Sequence, residues 1–190
     1  MLIIINGASG AGKTFLLKNL NYIKSPKFVP LKKYTTRSPR DFEKDSDPVD
    51  LIFNCDKNYI SQLEYSYEYK NEYYGVSKKE LQDIISCNEI PVLIIRSFKV
   101  IERIKMDFKD VCVFFIIGAT SETLKNKLTT QQRASKDIAL ADLGFHLITE
   151  EYIKYISLVD FCIINSLYDK ELYLNQFITF TREKLKSKDI

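Results

Sequence analysis

A glycine-rich segment near the start of the chain constrains its fold more than any other feature. Residues 7–14 read Gly-Ala-Ser-Gly-Ala-Gly-Lys-Thr and fit the phosphate-loop spacing G-x-x-x-x-G-K-[ST]. The segment follows an apolar run at residues 2–5 and precedes residues 15–20, which have helical spacing. In this strand–loop–helix context, backbone N–H groups of the turn and of the new helix converge on a polyphosphate. The sequence therefore predicts a nucleoside triphosphate site.

The last two residues of the loop carry the chemistry expected of such a site. Lys13 is predicted to reach the β- and γ-phosphates, and the Thr14 hydroxyl to hold Mg²⁺. We therefore expect Mg²⁺ with ATP as the cofactor. The candidate ATP-binding residues of the loop are Gly7, Ala8, Ser9, Gly10, Ala11, Gly12, Lys13 and Thr14.

Size and composition exclude several classes of protein. The chain has 190 residues, of which 45% are hydrophobic and 28% charged, as expected for one globular domain. A formal net charge of +3 is too small to indicate nucleic acid or an anionic membrane as a partner. The four cysteines and the single His146 have no metal-binding or disulfide pattern. No apolar run is long enough to span a bilayer, so we expect a cytoplasmic protein. We expect it to be either a monomer or a homodimer.

Near-continuous apolar runs predict strands that are buried on both faces, as in a parallel sheet. Helical patterns alternate with them, which predicts an α/β fold, a three-layer P-loop kinase fold with a parallel sheet. The predicted strands are residues 2–5, 92–95, 111–117 and 161–164. Five helices are predicted. The first comprises residues 14–22, the second begins after its cap Ser77 and ends at residue 85, and the third runs from residue 120 or 121 to 128. The fourth comprises residues 150–158 after its cap Thr149, and the fifth runs from Asp169 to residue 186.

Two segments break this alternation. In residues 33–75, tyrosines alternate with charged or small residues, a pattern typical of half-exposed antiparallel strands. We therefore predict one kinase domain whose core comprises residues 1–32 and 76–190, with a small β-rich acceptor-binding lobe inserted at 33–75. Residues 129–137 are rich in Thr, Gln and Ser and contain Arg133, and their length suits a short lid.

The residues after the core strands argue against a nucleotide hydrolase. Hydrolases with this loop need an acidic residue at the end of a second apolar strand, to hold Mg²⁺ and the attacking water. Here Arg96 and Ser97 follow one strand, and Gly118 and Ala119 follow the next. No N-K-x-D signature for guanine is present either. A motor protein or a signalling GTPase is therefore disfavoured.

A kinase acting on a phosphorylated acceptor would use the remaining basic residues. Phosphoryl transfer is mostly positioning and charge neutralisation, so such an enzyme needs a second anion site. Arg37 and Arg40, at positions i and i+3 around a proline, form a stiff, doubly cationic loop that suits phosphate. A lid that excludes water also needs a cation, and Arg133, with Lys127 and Lys136 nearby, supplies it.

Several segments in this order resemble the guanylate kinase family, and the resemblance covers nearly the whole chain. After the phosphate loop, residues 35–40 read T-T-R-S-P-R, 71–75 read N-E-Y-Y-G, and 160–165 read D-F-C-I-I-N. The family has T-T-R-x-P-R, N-Y-Y-G-T and D-Y-x-I-x-N at these places. Asp50 and Phe53 fall where its D-Y-x-F segment occurs.

The resemblance implies that Arg37, Arg40 and Tyr74 bind the phosphate of the acceptor and that Asn165 lies near the adenine of ATP. It implies roles in phosphoryl transfer for Lys13 and Arg37, and the lid cation Arg133 is the third candidate catalytic residue. The candidate acceptor-binding residues are Lys33, Thr36, Arg37, Arg40, Glu64, Tyr74, Val76 and Ser97. The partners expected are thus ATP and a small phosphorylated acceptor, with GMP as the default.

The positions that recognise the base in this family differ in this chain. Lys33 replaces a small hydroxyl residue, and Val76 replaces the threonine after Y-Y-G. The aspartate that ends the third core strand falls at Ser97 or Arg96, and an acidic residue of the lobe falls at Tyr65, or at Glu64 after a shift of one residue. Either other residues recognise guanine here, or the acceptor is not GMP.

Two alternatives stay open at the level of sequence. A ribose 1,5-bisphosphate kinase shares the phosphate loop and a T-R loop, needs no residue for base recognition, and has a strand end similar to Ser97. A binding module with a kinase-like fold would explain the changed base-recognition positions and the scarcity of arginines near the lid, where Arg133 is the only one between Arg103 and Arg182. The intact Gly12-Lys13-Thr14 sequence argues against this second alternative, because a pure scaffold has no need for it.

Overall fold

The computed structural model describes residues 1–20, 27–44, 48–118, 150, 152–165 and 169–186. All four predicted core strands are present, and each is longer than predicted or shifted by a residue or two. The nine strands are β1 (Leu2–Gly7), β2 (Phe28–Pro30), β3 (Lys33–Thr35), β4 (Leu51–Ile52), β5 (Tyr67–Tyr69), β6 (Glu72–Gly75), β7 (Ile90–Ile94), β8 (Val111–Gly118) and β9 (Phe161–Asn165) in the described part of the chain.

A five-stranded sheet with the order β2-β7-β1-β8-β9 confirms the predicted α/β fold. Strands β2 and β7 pair in parallel, and so do β8 and β9, where Gly118 lies opposite Asn165. Every residue of β1 and β7 is buried, as expected of strands covered on both faces. Because β1 ends at Gly7, the sheet fixes the start of the phosphate loop.

A separate four-stranded sheet, with the order β4-β3-β6-β5, is built from residues 33–75. Strand β6 pairs antiparallel with both β3 and β5, which confirms the antiparallel strands inferred from the tyrosine pattern. Lys70 and Asn71 both have positive φ angles, 55° and 60°, as the two central residues of a type I′ hairpin turn require. This turn sets the register that stacks the rings of Tyr67 and Tyr74, with centroids 5.4 Å apart.

Several of the described helices begin after polar residues whose side chains cap the first N–H groups. Ser77 caps α4 (Lys78–Ser86) through the Glu80 N–H, as predicted. Asp169 accepts a hydrogen bond of 2.8 Å from the Leu172 N–H at the start of α6 (Lys170–Lys186). The remaining helices are α1 (Lys13–Asn19), α2 (Asp41–Lys44), α3 (Lys57–Ser61), α5 (Phe98–Asp107) and a short 3₁₀ helix (Ile156–Leu158).

Helix α5 was not predicted from the sequence, although its pattern is amphipathic. Ser97 caps it through the Val100 N–H, and the helix buries Phe98, Ile101 and Ile104 on one face. The predicted helix ending at residue 128, the cap at Thr149 and the lid at residues 129–137 lie outside the described residues. None of the described helices is long and apolar enough to cross a lipid bilayer.

The chain divides into two compact units, one comprising Met1–Ile4 and Leu17–Val111 and the other comprising residues 5–16 and 112–190. The first unit contains the four-stranded sheet, and its core includes Leu81, Val92 and Ile101. The second contains the phosphate loop, and the Phe114 ring in its core packs against Phe161 and Phe177 at centroid distances of 5.4 Å and 4.8 Å.

Candidate functional site

The phosphate loop depends on glycine at its last glycine position. Gly12 has a φ angle of +99°, which L-residues other than glycine rarely adopt. A Cβ atom at this position would collide with Nδ2 of Asn165 and lie 3.4 Å from the Tyr173 ring. Both the backbone conformation and the close approach of these side chains therefore exclude a larger residue.

Two side chains from outside the loop bind its backbone carbonyls. Asn165, at the end of β9, donates from Nδ2 to the Ala11 carbonyl at 2.8 Å. Tyr173, in α6, donates from its hydroxyl to the Gly12 carbonyl at 3.3 Å. Burial raises the pKa of Tyr173, so its hydroxyl stays protonated as this donor. These bonds fix the positions of two loop carbonyls.

Lys13 is held by the loop itself. Its side chain is buried, and Nζ donates to the carbonyls of Gly7, at 2.7 Å, and of Ala8. The ammonium therefore lies beside the loop that would surround the phosphates, and neutral carbonyl partners give it up more readily than a carboxylate would. Thr14, the next residue, is exposed, and no hydrogen bond of its hydroxyl is found in the described part of the chain.

No group of three or more His, Cys, Asp or Glu side chains that could hold a metal exists among the described residues. Mg²⁺ in nucleotide enzymes is commonly held by few protein groups together with phosphates and water. The exposed Thr14 hydroxyl beside the loop suits that arrangement. The loop residues thus fit a magnesium nucleotide.

Arg37 and Arg40 share one carboxylate, that of Glu43. Arg37 donates from Nη1 and Nη2 to the two oxygens of Glu43, at 2.8 Å and 3.1 Å. The Arg40 Nη1 atom lies 3.7 Å from the same carboxylate. Burial lowers the pKa of Arg37, but its bonds to Glu43 and the neighbouring Tyr74 outweigh burial and raise it overall. The two guanidinium groups therefore form one permanently charged cluster in the segment between β3 and β4.

Thr36 connects the arginine loop to the tyrosine strand. Its hydroxyl donates to Glu72 at 2.5 Å and accepts from the Tyr73 N–H at 3.0 Å. This places Tyr74, in β6, beside Arg37, whose pKa it helps to raise. The Tyr74 hydroxyl and the Arg37 guanidinium, both predicted acceptor-binding groups, are therefore neighbours.

Lys33 joins this cluster from β3. Its side chain is 4% exposed, and Nζ lies 5.8 Å from the centroid of the Tyr74 ring. Burial lowers the pKa of Lys33 to about 8; the charge of Asp50 raises it, and the charges of Arg96 and Arg37 lower it further. A buried cation beside two arginines is unfavourable unless an anion or a carbonyl group binds there.

Three other predicted acceptor-binding residues have mainly structural surroundings. Glu64 accepts a hydrogen bond from the Lys78 backbone N–H at 3.1 Å on the exposed surface, Val76 is fully buried, and Ser97 caps α5. Arg96 donates from Nη1 to the Tyr69 hydroxyl at 2.6 Å. Arg133 lies outside the described residues.

Sequence reasoning missed two residues of the site. Tyr173 carried no signal beyond its place in a helical pattern. Glu43 did carry one, because a glutamate three residues after the start of a short helix commonly binds back to the backbone. Neither residue belongs to a short motif, and both bind the predicted site residues.

The chain is similar over most of its length to guanylate kinases. The family model for guanylate kinase matches residues 1–172. The guanylate kinase of Clostridium acetobutylicum is 31% identical over 169 residues, which cover 87% of this chain and 78% of that protein. That of Psychrobacter arcticus is 28% identical over 191 residues, covering 97% and 88% of the two chains. The solved guanylate kinase of Anaplasma phagocytophilum has the same fold, with a TM-score of 0.68, 18% identity and coverage of 97% and 85%.

Proposed function

The chain belongs to the guanylate kinase family, and from this premise we propose that it transfers the γ-phosphoryl group of ATP to GMP, producing ADP and GDP. The observation that carries the proposal is the family match over residues 1–172, which includes the phosphate loop and the T-T-R-S-P-R loop. The described geometry supports it, because both loops have the chemistry that phosphate binding requires.

The phosphate loop binds the ATP polyphosphate through its backbone N–H groups. Lys13 exchanges the carbonyls of Gly7 and Ala8 for the β- and γ-phosphates, gaining a charge-assisted bond in place of a neutral one. The fixing of the Ala11 and Gly12 carbonyls by Asn165 and Tyr173 keeps the loop open for this exchange. Asn165 thus acts on the loop backbone, in addition to the proximity to adenine that the resemblance implies.

The arginine cluster binds the phosphate of GMP. Arg37 and Arg40 neutralise its charge, the Tyr74 hydroxyl supplies a neutral donor, and Lys33 supplies a buried ammonium at the base of the cluster. Neutralising the acceptor matters because a doubly charged phosphate must approach a second phosphate as its nucleophile.

Thr14 would hold Mg²⁺ together with ATP, a role that its exposed hydroxyl at the end of the loop supports. When bound, Mg²⁺ neutralises charge on the transferred phosphoryl group. Arg133 in the predicted lid at residues 129–137 would add a further cation. The lid, the cytoplasmic location, the oligomeric state and the domain boundaries of the sequence analysis stay predictions.

The family match favours a nucleoside monophosphate kinase over both alternatives. It does not favour a ribose 1,5-bisphosphate kinase, because the matched relatives are guanylate kinases. A binding module without turnover has no use for a buried lysine stored against the phosphate loop.

A coupled assay of ADP release tests the proposal. The purified chain is given ATP and Mg²⁺ with GMP, AMP, CMP, UMP or ribose 1,5-bisphosphate as acceptor, and Lys13→Ala serves as the inactive control. We expect turnover with GMP that exceeds turnover with every other acceptor. Two outcomes would refute the proposed reaction. One is release of ADP with the sugar bisphosphate alone, and the other is no release of ADP above background with any of the acceptors.

A further inference from the structure

The carboxylate of Glu43 is the shared partner of both arginines in the proposed acceptor site. It makes a bidentate pair with the Arg37 guanidinium, and it also accepts a hydrogen bond of 2.8 Å from the backbone N–H of Arg40. The side chains of Arg37 and Glu43 are only 14% and 17% exposed. An ion pair this shielded from water holds its geometry better than a surface pair.

The backbone bond identifies Glu43 as a fixed part of its loop. Helix α2 begins at Asp41, so Arg40 is the N-cap and Glu43 the third helical residue. A glutamate there that bonds back to the N-cap N–H forms half of a capping box. Burial raises the pKa of Glu43, but the bonds from Arg37 and from the Arg40 backbone outweigh burial, and the pKa falls below its ordinary value. Glu43 is therefore anionic and anchored to the chain at neutral pH.

The bonds of Arg37 to Ser38 and Glu43 use only part of its guanidinium, and Tyr74 is a further hydrogen-bond partner. Nη1 donates to the Ser38 carbonyl at 3.1 Å and to Glu43, and Nη2 donates once to Glu43. A guanidinium has five N–H groups, so Nε–H and the second Nη2 hydrogen make none of these bonds. Their edge is the one that binds a phosphate in a bidentate manner. The Phe53 ring covers the face of the guanidinium at 4.8 Å and restricts its rotation.

We propose that Glu43 is a positioning residue of the acceptor site: it stays bound to Arg37 and orients the Nε/Nη2 edge of that arginine toward the acceptor phosphate. This inference rests on the proposed function. Glu43 itself does not touch the acceptor. The competing view is that Glu43 occupies the phosphate site and leaves when the acceptor binds. The two views predict opposite changes in acceptor affinity.

Glu43→Gln separates positioning from folding. The glutamine oxygen still accepts the Arg40 N–H, so the helix cap survives, while the charged bidentate pair is lost. Asp41→Asn is the matched control, because Asp41 lies in the same helix, is 98% exposed and pairs with Lys44 instead. Both variants lose one negative charge from α2, so a general change in charge affects them equally.

The experiment measures steady-state kinetics, the Kd of GMP by calorimetry without ATP, and Tm for wild type, both variants, Arg37→Ala and Arg37→Ala/Glu43→Gln. We expect Glu43→Gln to raise KM and Kd for GMP about tenfold, with the KM for ATP and Tm unchanged, and Asp41→Asn to match wild type. In the Arg37→Ala background, Glu43→Gln should have a much smaller effect, because only the more distant Arg40 guanidinium, 3.7 Å from Glu43, is left.

Tighter GMP binding in Glu43→Gln would show that Glu43 competes with the phosphate and would overturn the inference. Glu43 would be only a structural residue if Glu43→Gln weakened the binding of GMP and of ATP equally. The same would follow if Glu43→Gln weakened GMP binding as much in the Arg37→Ala background as in wild type. The GMP Kd keeps the two proposals separate: a wild-type chain that binds GMP without turnover contradicts the proposed function but still tests Glu43. A chain that binds no GMP overturns both.

Discussion

Lys33 donates a hydrogen bond from its ammonium to the backbone carbonyl of Ile94 at 2.6 Å. No second hydrogen-bond acceptor of this ammonium is found among the described residues, although it has three N–H donors. The pair joins β3 of the inserted sheet to the end of β7 in the parallel sheet, both within the first unit. Lys33 thus holds a buried charge beside Tyr74 and Arg37, in the proposed acceptor site.

That charge makes stability depend on pH. Burial lowers the pKa of folded Lys33 from 10.5 to about 8, so between these values the unfolded chain binds more protons than the folded chain. The free energy of unfolding therefore rises with pH, mainly above pH 8. Between pH 7 and 9.5 the rise from this group alone is about 2 kcal/mol. Urea unfolding at both pH values measures it, and Lys33→Met, which has no charge to lose, should lack this increment. An equal rise in the free energy of unfolding for wild type and Lys33→Met would contradict the expectation.

Binding of the acceptor should respond to the same titration in the opposite sense. Below pH 8 the Lys33 ammonium adds to the charges of Arg37 and Arg96, with Asp50 opposing them, and favours an anionic acceptor. As pH rises from 7 to 9, we expect the KM for GMP to increase severalfold while the KM for ATP changes little. Lys33→Met should show a raised KM for GMP that no longer varies over this range. A pH profile that survives in Lys33→Met would assign the titration to another group.

Replacement of Lys13 should cause a large loss of activity while the fold is kept. Its bonds go to the carbonyls of Gly7 and Ala8, which other donors or water can satisfy, so Lys13→Met should unfold close to the wild-type Tm. Removal of the ammonium from the transferred phosphate should lower kcat by at least about 100-fold, the usual cost of a lost transition-state cation or donor. Single-turnover kinetics with a Tm measurement checks both parts. A variant with near wild-type kcat would show that the loop does not bind the reacting phosphates.

Arg37 tests whether bidentate geometry or charge alone binds the acceptor. Arg37→Lys keeps the charge but loses the planar fork that Glu43 holds at two points. We expect the KM for GMP to rise about 10- to 100-fold in Arg37→Lys and at least as far in Arg37→Ala, since charged hydrogen bonds contribute about 1.5–3 kcal/mol. The KM for ATP serves as the internal control. Full rescue by lysine would mean that the site senses only charge.

The sequence was informative where one short segment determines its own structure. The phosphate loop, the buried strands and the caps at Ser77 and Asp169 depend on neighbours within a few positions, and all are present. Helix α5 shows what this reasoning missed: Ser97 was predicted as an acceptor-binding residue because it falls where the family has a base-recognition aspartate, and the structure adds that its hydroxyl caps the next helix. The capping role depends on the backbone conformation after the strand.

The surroundings of a side chain were much harder to predict. Nothing local shows that Lys33 is buried against Ile94, because the two residues are 61 positions apart. The same holds for Asn165 and Ala11, separated by 154 positions. Glu43 is close in sequence to Arg37 and Arg40, but only the folded loop shows that its carboxylate binds both arginines. A motif shows which residue types are present. The pKa values and hydrogen-bond partners of these residues depend on contacts with residues far away in the sequence.

The contact of Gly12 with Asn165 provides a double-mutant test of the loop. Gly12→Ala forces a Cβ onto a residue at φ +99° and against the Asn165 amide, so it should destabilise the chain by about 2–4 kcal/mol and abolish ATP binding. In an Asn165→Ala background the collision is removed while the backbone strain remains. The cost of Gly12→Ala should therefore fall by about 1–2 kcal/mol in that background. Urea unfolding of the four proteins measures this coupling, and calorimetry measures ATP binding. If the two substitutions were additive, Asn165 would not press on the loop, and the structural basis for its role at the ATP site would be lost.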